Sequence, residues 1–388
     1  MSPVSSFQYL TLLTFLTSDF AKTHPLLVFK STGNKTPRGH VTDTECRPDL
    51  VAAFAKDWGK NDTPPLWPCI RLAGERASKG RSRKKQEGQA ISYLRYLLLA
   101  RPDLHVAQGL LTSESGVKFL FGIGGVGIRS FTLPWEDEAL YKLMYAFVHR
   151  LYEPGDFVDP SYVKVVPNLN DGFVTYTVRI PVTQKTVVNG VEQEVEDSIE
   201  CHGFQPIYAS SPFATRTHIL SNPQSKVMVN GKALTVFKDQ LCRLGTRFNE
   251  HSILTHIHNR ETVPGVVEEV YHELIKSPRI LGSDKVKRRL GLRQSGRSFS
   301  SIRTLQKILE TAVFDTLEGT SILIDHVILA HMKQYCGICV SNAKSFTVTS
   351  AKETYFILRM RHFQQVVLFR LLRKRPSALS SIFLVTGI

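Results

Sequence analysis

Residues 233–238 read Ala-Leu-Thr-Val-Phe-Lys, and residues 247–254 read Arg-Phe-Asn-Glu-His-Ser-Ile-Leu. The first segment follows an Asn-Gly turn at 230–231 and is rich in β-formers, which predicts a strand that ends at Lys238. The second segment predicts a helix with Glu250 near its start. A lysine that ends a strand and a glutamate early in the next helix can form an ion pair. We therefore treat Lys238 and Glu250 as the centre of a candidate site.

The segments on either side of this pair predict an ordered set of elements. Strands are predicted at 207–209, 217–220, 233–238, 264–271 and 290–293. Residues 302–317 carry apolar side chains at helical spacing and predict another helix. The order is therefore three strands, the Glu250 helix, two strands, a linker and a helix.

The part of the chain before this region predicts a separate mixed α/β domain. Residues 1–45 read as a loosely ordered leader, and we place the domain at 46–195. Its helices are predicted at 49–57, 90–98 and 136–151, and its strands at 69–72, 105–111, 116–121 and 128–133. A second domain is placed at 196–318 and an atypical tail at 319–388. The predicted fold class is α+β.

Residues 122–127 read Gly-Ile-Gly-Gly-Val-Gly and satisfy the G-x-G-x-x-G pattern. A dinucleotide site requires a helix to begin directly after this pattern, so that the helix amides meet the pyrophosphate. Residues 128–133 alternate as a strand instead. We therefore predict a hairpin turn here.

The chain of 388 residues carries a formal net charge of +15 at pH 7. This charge favours an acidic partner such as nucleic acid, nucleotide phosphate or anionic lipid. Basic residues are concentrated within 71–85, 285–289 and 359–375. Such runs are more often solvated loops than nucleic-acid-binding patches, and nucleic acid is a candidate partner through them.

Six cysteines are scattered through the chain, which argues against a disulfide framework and for a reducing compartment. The apolar run at 7–16 has no basic residue before it, so we read no secretory signal. No segment reaches the roughly twenty apolar residues of a membrane span. We expect an intracellular protein of the cytoplasm or nucleus.

Several short motifs, taken in order, resemble the fungal-type protein kinase family, a divergent kinase group. They are Arg-Pro-Asp at 47–49, Ala-Arg-Pro-Asp-Leu at 100–104, Gly-Leu-Leu at 109–111, the helix at 135–152, Val-Phe-Lys-Asp at 236–239 and Pro-Gly-Val-Val at 264–267. The resemblance covers residues 46–318 and depends on order and spacing. It implies an ATP-dependent Ser/Thr phosphotransferase in which Lys238 contacts the ATP phosphates and Glu250 orients the lysine. It also implies Mg²⁺ and a protein substrate that the sequence does not identify.

The chain departs from the family pattern where the chemistry would lie. Residues 212–217 read Pro-Phe-Ala-Thr-Arg-Thr where a glycine-rich turn should cover the phosphates, with Arg216 as a partial substitute. Beyond Glu318 the sequence has no His-Arg-Asp loop and no Asp-Phe-Gly. Asp325 resembles the magnesium-binding aspartate, but His326 follows it in place of phenylalanine. We therefore assign no catalytic residue and predict a pseudokinase with residual ATP binding.

An alternative hypothesis is a non-catalytic interaction or nucleic-acid-binding protein with a restriction-endonuclease-like N-terminal domain. Glu75 beside a basic loop, followed by a helix with Gln89 and Tyr93, resembles the layout of those folds. In such folds acidic residues hold magnesium and a lysine activates water. The lysine position is Ala77 here, so nuclease activity is not expected.

Overall fold

The structure is a computed structural model that describes residues 13–293 with gaps, and three short strands beyond them. The gaps fall at 15, 19, 34, 43–44, 78–81, 166–172, 189–190, 244–248, 260–265 and 276–284, and the side chains of 62 and 183–196 are also outside the description. The chain divides into two compact units. The first comprises Met1–Leu254 with Val267–Gly296, and the second comprises Thr255–Val266 with Arg297–Ile388. Both large sheets belong to the first unit.

The first sheet has six strands that follow one another in chain order. They are β1 (Leu27–Ser31), β2 (Leu50–Phe54), β3 (Leu72–Arg76), β4 (Val106–Ser113), β5 (Gly116–Ile123) and β6 (Gly127–Pro134). Only β3 and β4 pair in parallel, because the helix α1 (Arg83–Ala100) connects them. A second helix, α2 (Ala139–Tyr152), follows β6.

Alternate residues of the central strands face the two helices. Leu110 of β4 packs in the apolar cluster that contains α2, whereas its neighbour Leu111 packs in the cluster that contains α1. The same alternation separates Leu50 from Val51 in β2. The sheet therefore has one helix on each face.

Part of the segment that we expected to be a loosely ordered leader contributes to this sheet. Strand β1 pairs with β2 along its full length. Leu13 and Leu16, in a short helical stretch before it, are buried in the same apolar cluster as α2. Burial of these apolar side chains fixes a segment whose local sequence predicts little order.

The helix predicted at 49–57 is also wrong, because residues 50–54 form β2 and 55–57 form a single 3-10 turn. Strands on both sides pair with β2, and its first four residues are buried. A strand that is buried on both faces carries a continuous apolar run, which periodicity cannot distinguish from a buried helix. The strand expected at 69–72 begins only at Leu72.

The other predicted elements of this region are confirmed with shifted ends. The helix predicted at 90–98 lies inside α1, and the one predicted from Glu136 begins at Ala139. The glycine motif at 122–127 is the turn of the β5–β6 hairpin, as predicted. Gly125 has a φ of +72° there, a conformation that favours glycine.

Seven strands form the second sheet. They are β7 (Tyr162–Val165), β8 (Thr175–Val188), β9 (Val191–Ser210), β10 (Thr217–Ser221), β13 (Val236–Arg243), β14 (Glu269–Ile275) and β15 (Lys285–Leu292). A small hairpin of β11 (Met228–Val229) and β12 (Lys232–Ala233) precedes β13, and its turn is the predicted Asn-Gly pair. Helix α3 (Glu250–Ile257) follows β13. The strand order is β14-β15-β13-β10-β9-β8-β7, with every pair antiparallel.

The change from the first sheet to the second falls between α2 and β7, whereas the sequence placed a domain boundary near 195. Residue 195 lies inside β9, and β9 pairs with β8 from Val191, opposite Val188, onward. Strands β7 and β8, assigned to the first domain from sequence, belong to the second sheet.

The basic run at 285–289 is part of β15 rather than a solvated loop. Lys287 and Arg289 are only 4% and 0% exposed. The strand predicted at 290–293 is therefore longer and begins at Lys285.

The second unit contains a sheet of three short strands, β16 (Leu358–Arg359), β17 (Gln365–Val367) and β18 (Val385–Thr386). Across the described residues, the protein is a mixed α/β fold in which strands predominate. No helix in this described part is long and apolar enough to cross a membrane.

Candidate functional site

Lys238 lies in the middle of the second sheet. Strand β13 continues past it to Arg243, so the strand end predicted at Lys238 is wrong. Its strand β13 is bordered by β10 and β15, with Ile219 and Leu290 directly opposite the lysine. Phe237 and Asp239 are 0% and 3% exposed, whereas the Lys238 side chain is 23% exposed. Alternation along the strand therefore directs Lys238 to the face that carries α3, and its two neighbours to the other face.

Glu250 is the first residue of α3. The side-chain carbonyl of Asn249 accepts a hydrogen bond from the Ser252 N–H at 2.9 Å, which caps the start of the helix. A carboxylate in the first turn also interacts favourably with the positive end of the helix dipole. The distance from Lys238 Nζ to Glu250 Oε2 is 2.6 Å. The structure therefore brings together the two residues that the sequence suggested as a pair.

A second contact holds the start of α3 over the same face. His251 Nδ1 lies 2.6 Å from Glu269 Oε1 of β14. The His251 ring stacks on His272, with 3.8 Å between ring centroids. Burial, together with the charge of His251, lowers the pKa of His272 to about 4, so this ring is neutral at neutral pH.

On the opposite face, Asp239 belongs to a buried ionic network. Arg289 donates hydrogen bonds from Nε and Nη2 to the two carboxylate oxygens of Asp239, both at 2.9 Å. Lys287 Nζ lies 2.7 Å from Asp239 and 2.6 Å from Asp159. The Tyr162 hydroxyl donates to Asp239 at 2.6 Å. Burial alone would raise the pKa of Asp239, but the charges of Arg289 and Lys287 hold it well below its usual value.

This network shows that the second sheet is strongly curled. Tyr162 lies in β7 and Asp239 lies in β13, four places apart in the strand order. In a flat sheet this would separate them by about 19 Å, at ~4.8 Å for each strand. Their direct hydrogen bond therefore requires β7 to fold over towards β13, enclosing the core between them.

Arg216 is directed away from the candidate site, so the phosphate contact expected for it is wrong. It is 4% exposed, and its guanidinium donates to the main-chain oxygens of Leu98 at 2.8 Å, Arg101 at 2.5 Å and Leu104. These carbonyls lie at the end of α1 and in the segment after it. A buried cation held by main-chain carbonyls is part of the structural core.

The rest of the turn before β10 is also anchored to other parts of the first unit. The Gly125 N–H donates to Pro212 O at 2.7 Å. Phe213 packs against the α1 cluster, and Lys285 donates to Ala214 O at 3.3 Å. This turn contacts the β5–β6 hairpin, which makes it unlike a mobile loop that closes over phosphates.

Glu75, the acidic residue of the alternative hypothesis, is bonded to a residue of α1. Glu75 is 3% exposed, and its Oε2 accepts a hydrogen bond from the Tyr93 hydroxyl at 2.7 Å. Within the described part of the chain, no group of three or more His, Cys, Asp or Glu residues is placed to hold a metal ion.

Several predicted features lie outside the described residues. Asp325, the predicted magnesium ligand, is one of them, as is the predicted helix at 302–317. The four described cysteines, Cys46, Cys69, Cys201 and Cys242, are free thiols.

Sequence reasoning missed the residues that join the strands and sheets, chiefly Asp159, Arg216 and Arg289. A signal was present in β15, where Lys285, Lys287 and Arg289 recur at every second position of the strand. Alternation indicates that such charges share a face, but it does not show that the face is buried.

Comparisons of the chain with protein-family models, with curated proteins and with solved structures find no match. The geometry of the chain itself is therefore the basis for assigning a function.

Proposed function

We propose that the second sheet and α3 form a nucleotide-side lobe related to that of protein kinases, and that Lys238, oriented by Glu250, binds the phosphates of ATP without transferring them. The supporting observation is the 2.6 Å ion pair between a central strand and the first residue of the next helix. In protein kinases, a strand lysine paired with a glutamate of the following helix contacts the ATP phosphates.

The chemistry of the pair supports a binding role. An ammonium group has three N–H donors, and Glu250 is the one hydrogen-bond partner of Lys238 within the described residues. Two donors are therefore available to phosphate oxygens. With side-chain exposures of 23% and 29%, the pair contributes only about 0–1 kcal/mol to folding, so stability alone explains it poorly.

The order of the elements around the pair supports the same proposal. The chain passes from β13 through α3 to β14, and then returns as β15 beside β13. Leu292 at the end of β15 lies opposite Val236, two residues before Lys238. In a kinase-like lobe the segment after this strand would carry the adenine connector, here residues 293–296.

We expect weak affinity and no phosphoryl transfer. The turn at 212–217 has no glycine and is anchored to the first sheet, so it offers ATP few main-chain amides. Asp325 is the proposed magnesium ligand by resemblance. No His-Arg-Asp segment supplies a base for a substrate hydroxyl.

A thermal shift experiment with ATP, with and without Mg²⁺, tests the proposal. Binding to the folded state raises the melting temperature, because it adds RT ln(1 + [L]/Kd) to the free energy of unfolding. We expect a concentration-dependent rise for the native chain and none for Lys238→Met. Lys226→Met, which removes an exposed lysine that follows β10, is the matched control and should keep the rise.

Two results would contradict the proposal. If ATP did not raise the melting temperature of the native chain, the proposed binding site would not exist. If ATP raised the melting temperature of Lys238→Met by the same amount, the binding site would lie elsewhere. Lys238-dependent transfer of labelled phosphate to a protein acceptor would show that the chain is an active kinase, contrary to the proposed lack of transfer.

A further inference from the structure

A cavity of about 1040 Å³ lies in the first unit, away from Lys238 and Glu250. Its walls come from the segment after β2, the segment after α1 and strand β7. Neither Lys238 nor Glu250 lines it, so it is distinct from the proposed ATP site.

Cations dominate the lining of this cavity. They are Arg38, Lys56, Lys60, Arg71, Arg101 and Lys164. Two carboxylates, Asp57 and Asp103, also line it. Asp103 is already paired with Arg101 at 2.5 Å. Five cations therefore face one remaining carboxylate.

Arg71 and Lys164 are partly buried in the cavity wall, and within the described residues no carboxylate pairs with either. Arg71 donates to Leu151 O at 2.6 Å, and its guanidinium lies 4.2 Å from the centre of the Phe54 ring. Lys164 donates to Pro68 O at 3.1 Å. These neutral partners orient both cations without cancelling their charge.

Both Arg71 and Lys164 have lowered pKa values, which reflect the electrostatic cost of burying their charges. Burial lowers the pKa of Lys164, and the charge of Arg101 adds to the effect. Burial, reinforced by Arg101, lowers the pKa of Arg71 to about 10. Asp57 and Asp103 offset part of this effect at both groups. An excess of positive charge in a concave site attracts anions.

We propose that this cavity binds a small molecule that carries several phosphate groups. Its volume is close to the upper end of the roughly 300–1,000 Å³ range of small-ligand sites. Five cations against one remaining carboxylate leave the lining with a net positive charge, which matches a polyvalent anion better than a single carboxylate. Lysine and arginine are the residues that recognise phosphate oxygens through charge-assisted hydrogen bonds. The phosphates belong either to a free molecule or to a lipid head group.

Titration calorimetry of the full chain with inositol hexakisphosphate, at physiological ionic strength, tests this proposal. We expect saturable binding that Lys164→Met weakens by about tenfold or more, because a hydrogen bond between charged groups is lost. Lys142→Met removes an exposed lysine of α2 outside the cavity and should bind as the native chain does. Lys238→Met should also bind normally, which separates this site from the proposed ATP site.

The double variant Lys56→Met/Lys60→Met provides a second test, because both side chains are exposed and their loss should leave the fold intact. We expect it to weaken binding several-fold. No binding to the native chain would overturn the proposal. If Lys142→Met lost as much binding affinity as Lys164→Met, the proposal would also be overturned, because the attraction would then follow from the net charge alone.

Vesicles of phosphatidylcholine, with and without phosphatidylinositol bisphosphate, distinguish the two sources of phosphate. Lys164-dependent retention on the phosphorylated vesicles would support the proposal and assign a lipid head group. Lys164-dependent calorimetric binding without vesicle retention would support it and assign a free ligand. Failure of Lys164→Met to change either measurement would overturn it.

Discussion

Lys238 and Asp239 are adjacent in the chain but lie on opposite faces of β13. The lysine pairs with Glu250 at a partly open surface, where both side chains exceed 20% exposure. The aspartate pairs with Arg289 in an environment where their side chains are 3% and 0% exposed. A partly solvated pair contributes little to stability, whereas removal of one member of a buried pair leaves a charge without compensation. The first pair is therefore suited to ligand binding, and the second supports the fold.

Replacing Arg289 should strongly destabilise the protein. Arg289→Met leaves Asp239 and Asp159 buried with Lys287 as their remaining cationic partner. We expect a loss of about 3–5 kcal/mol in the free energy of unfolding, which urea denaturation followed by circular dichroism would measure.

Arg179→Met is the matched control for this prediction. Arg179 also pairs with a glutamate in the second sheet, Glu200, but the two side chains are 52% and 44% exposed. The expected loss is at most about 1 kcal/mol. Equal losses in the two variants would show that burial of the network does not determine its contribution.

At the scale of elements, β10 and the turn before it cap the end of α1. The last carbonyls of a helix have no partners within the helix. Arg216 donates to the oxygen of Leu98, and His218 Nε2 lies 3.2 Å from the oxygen of Leu99. A turn that would cover phosphates in a kinase is therefore used here to connect the two sheets.

Arg216→Met should reduce stability without removing the proposed ATP binding. Three main-chain oxygens would lose their donor, and we expect a loss of about 2 kcal/mol or more. Urea denaturation would measure this loss, and the ATP-dependent rise in melting temperature should persist. A stable variant that no longer responds to ATP would instead indicate a phosphate contact.

At the scale of the whole first unit, buried neutral histidines should make the fold sensitive to acid. Burial, with the charge of Lys287 next in importance, lowers the pKa of His105 to about 3. Burial also places the pKa of His218 well below its usual value. In the unfolded chain both side chains would have a pKa of about 6.5. Below that pH the unfolded state binds protons that the folded state excludes, so stability falls as the pH falls.

We predict a progressive loss of stability between about pH 6.5 and pH 3.9, before most aspartates titrate. By pH 5 each of these two histidines should account for a loss of roughly 2 kcal/mol in the free energy of unfolding. Urea denaturation at a series of pH values would measure the loss. Equal stability at pH 7 and pH 5 would contradict the prediction.

His218→Gln isolates one contribution to this pH dependence. Glutamine can still donate to Leu99 O but does not titrate. The variant should lose less stability between pH 7 and pH 5 than the native chain does. If stability depended on pH identically in the variant and the native chain, His218 would not contribute to the pH dependence.

Local signals predicted several elements correctly. The hairpin turns at 122–127 and 230–231, the two long helices and the strand that carries Lys238 all depend on periodicity and turn chemistry within a few residues. The errors at 49–57 and 285–289 share one cause: both segments are strands buried between other strands. Burial on both faces removes the alternation that identifies a strand, and paired charges can replace apolar residues there.

The sequence by itself determined that Lys238 of one strand and Glu250 at the start of the next helix would lie close together, because only twelve residues separate them. The tertiary structure alone decided the roles of Arg216 and Arg289, whose partners lie between 50 and 130 residues away in the chain. It also decided that Arg38, Lys56, Lys60, Arg71 and Lys164 would line one cavity. Contacts over such distances depend on how the sheets curl and pack, and no local pattern encodes that geometry.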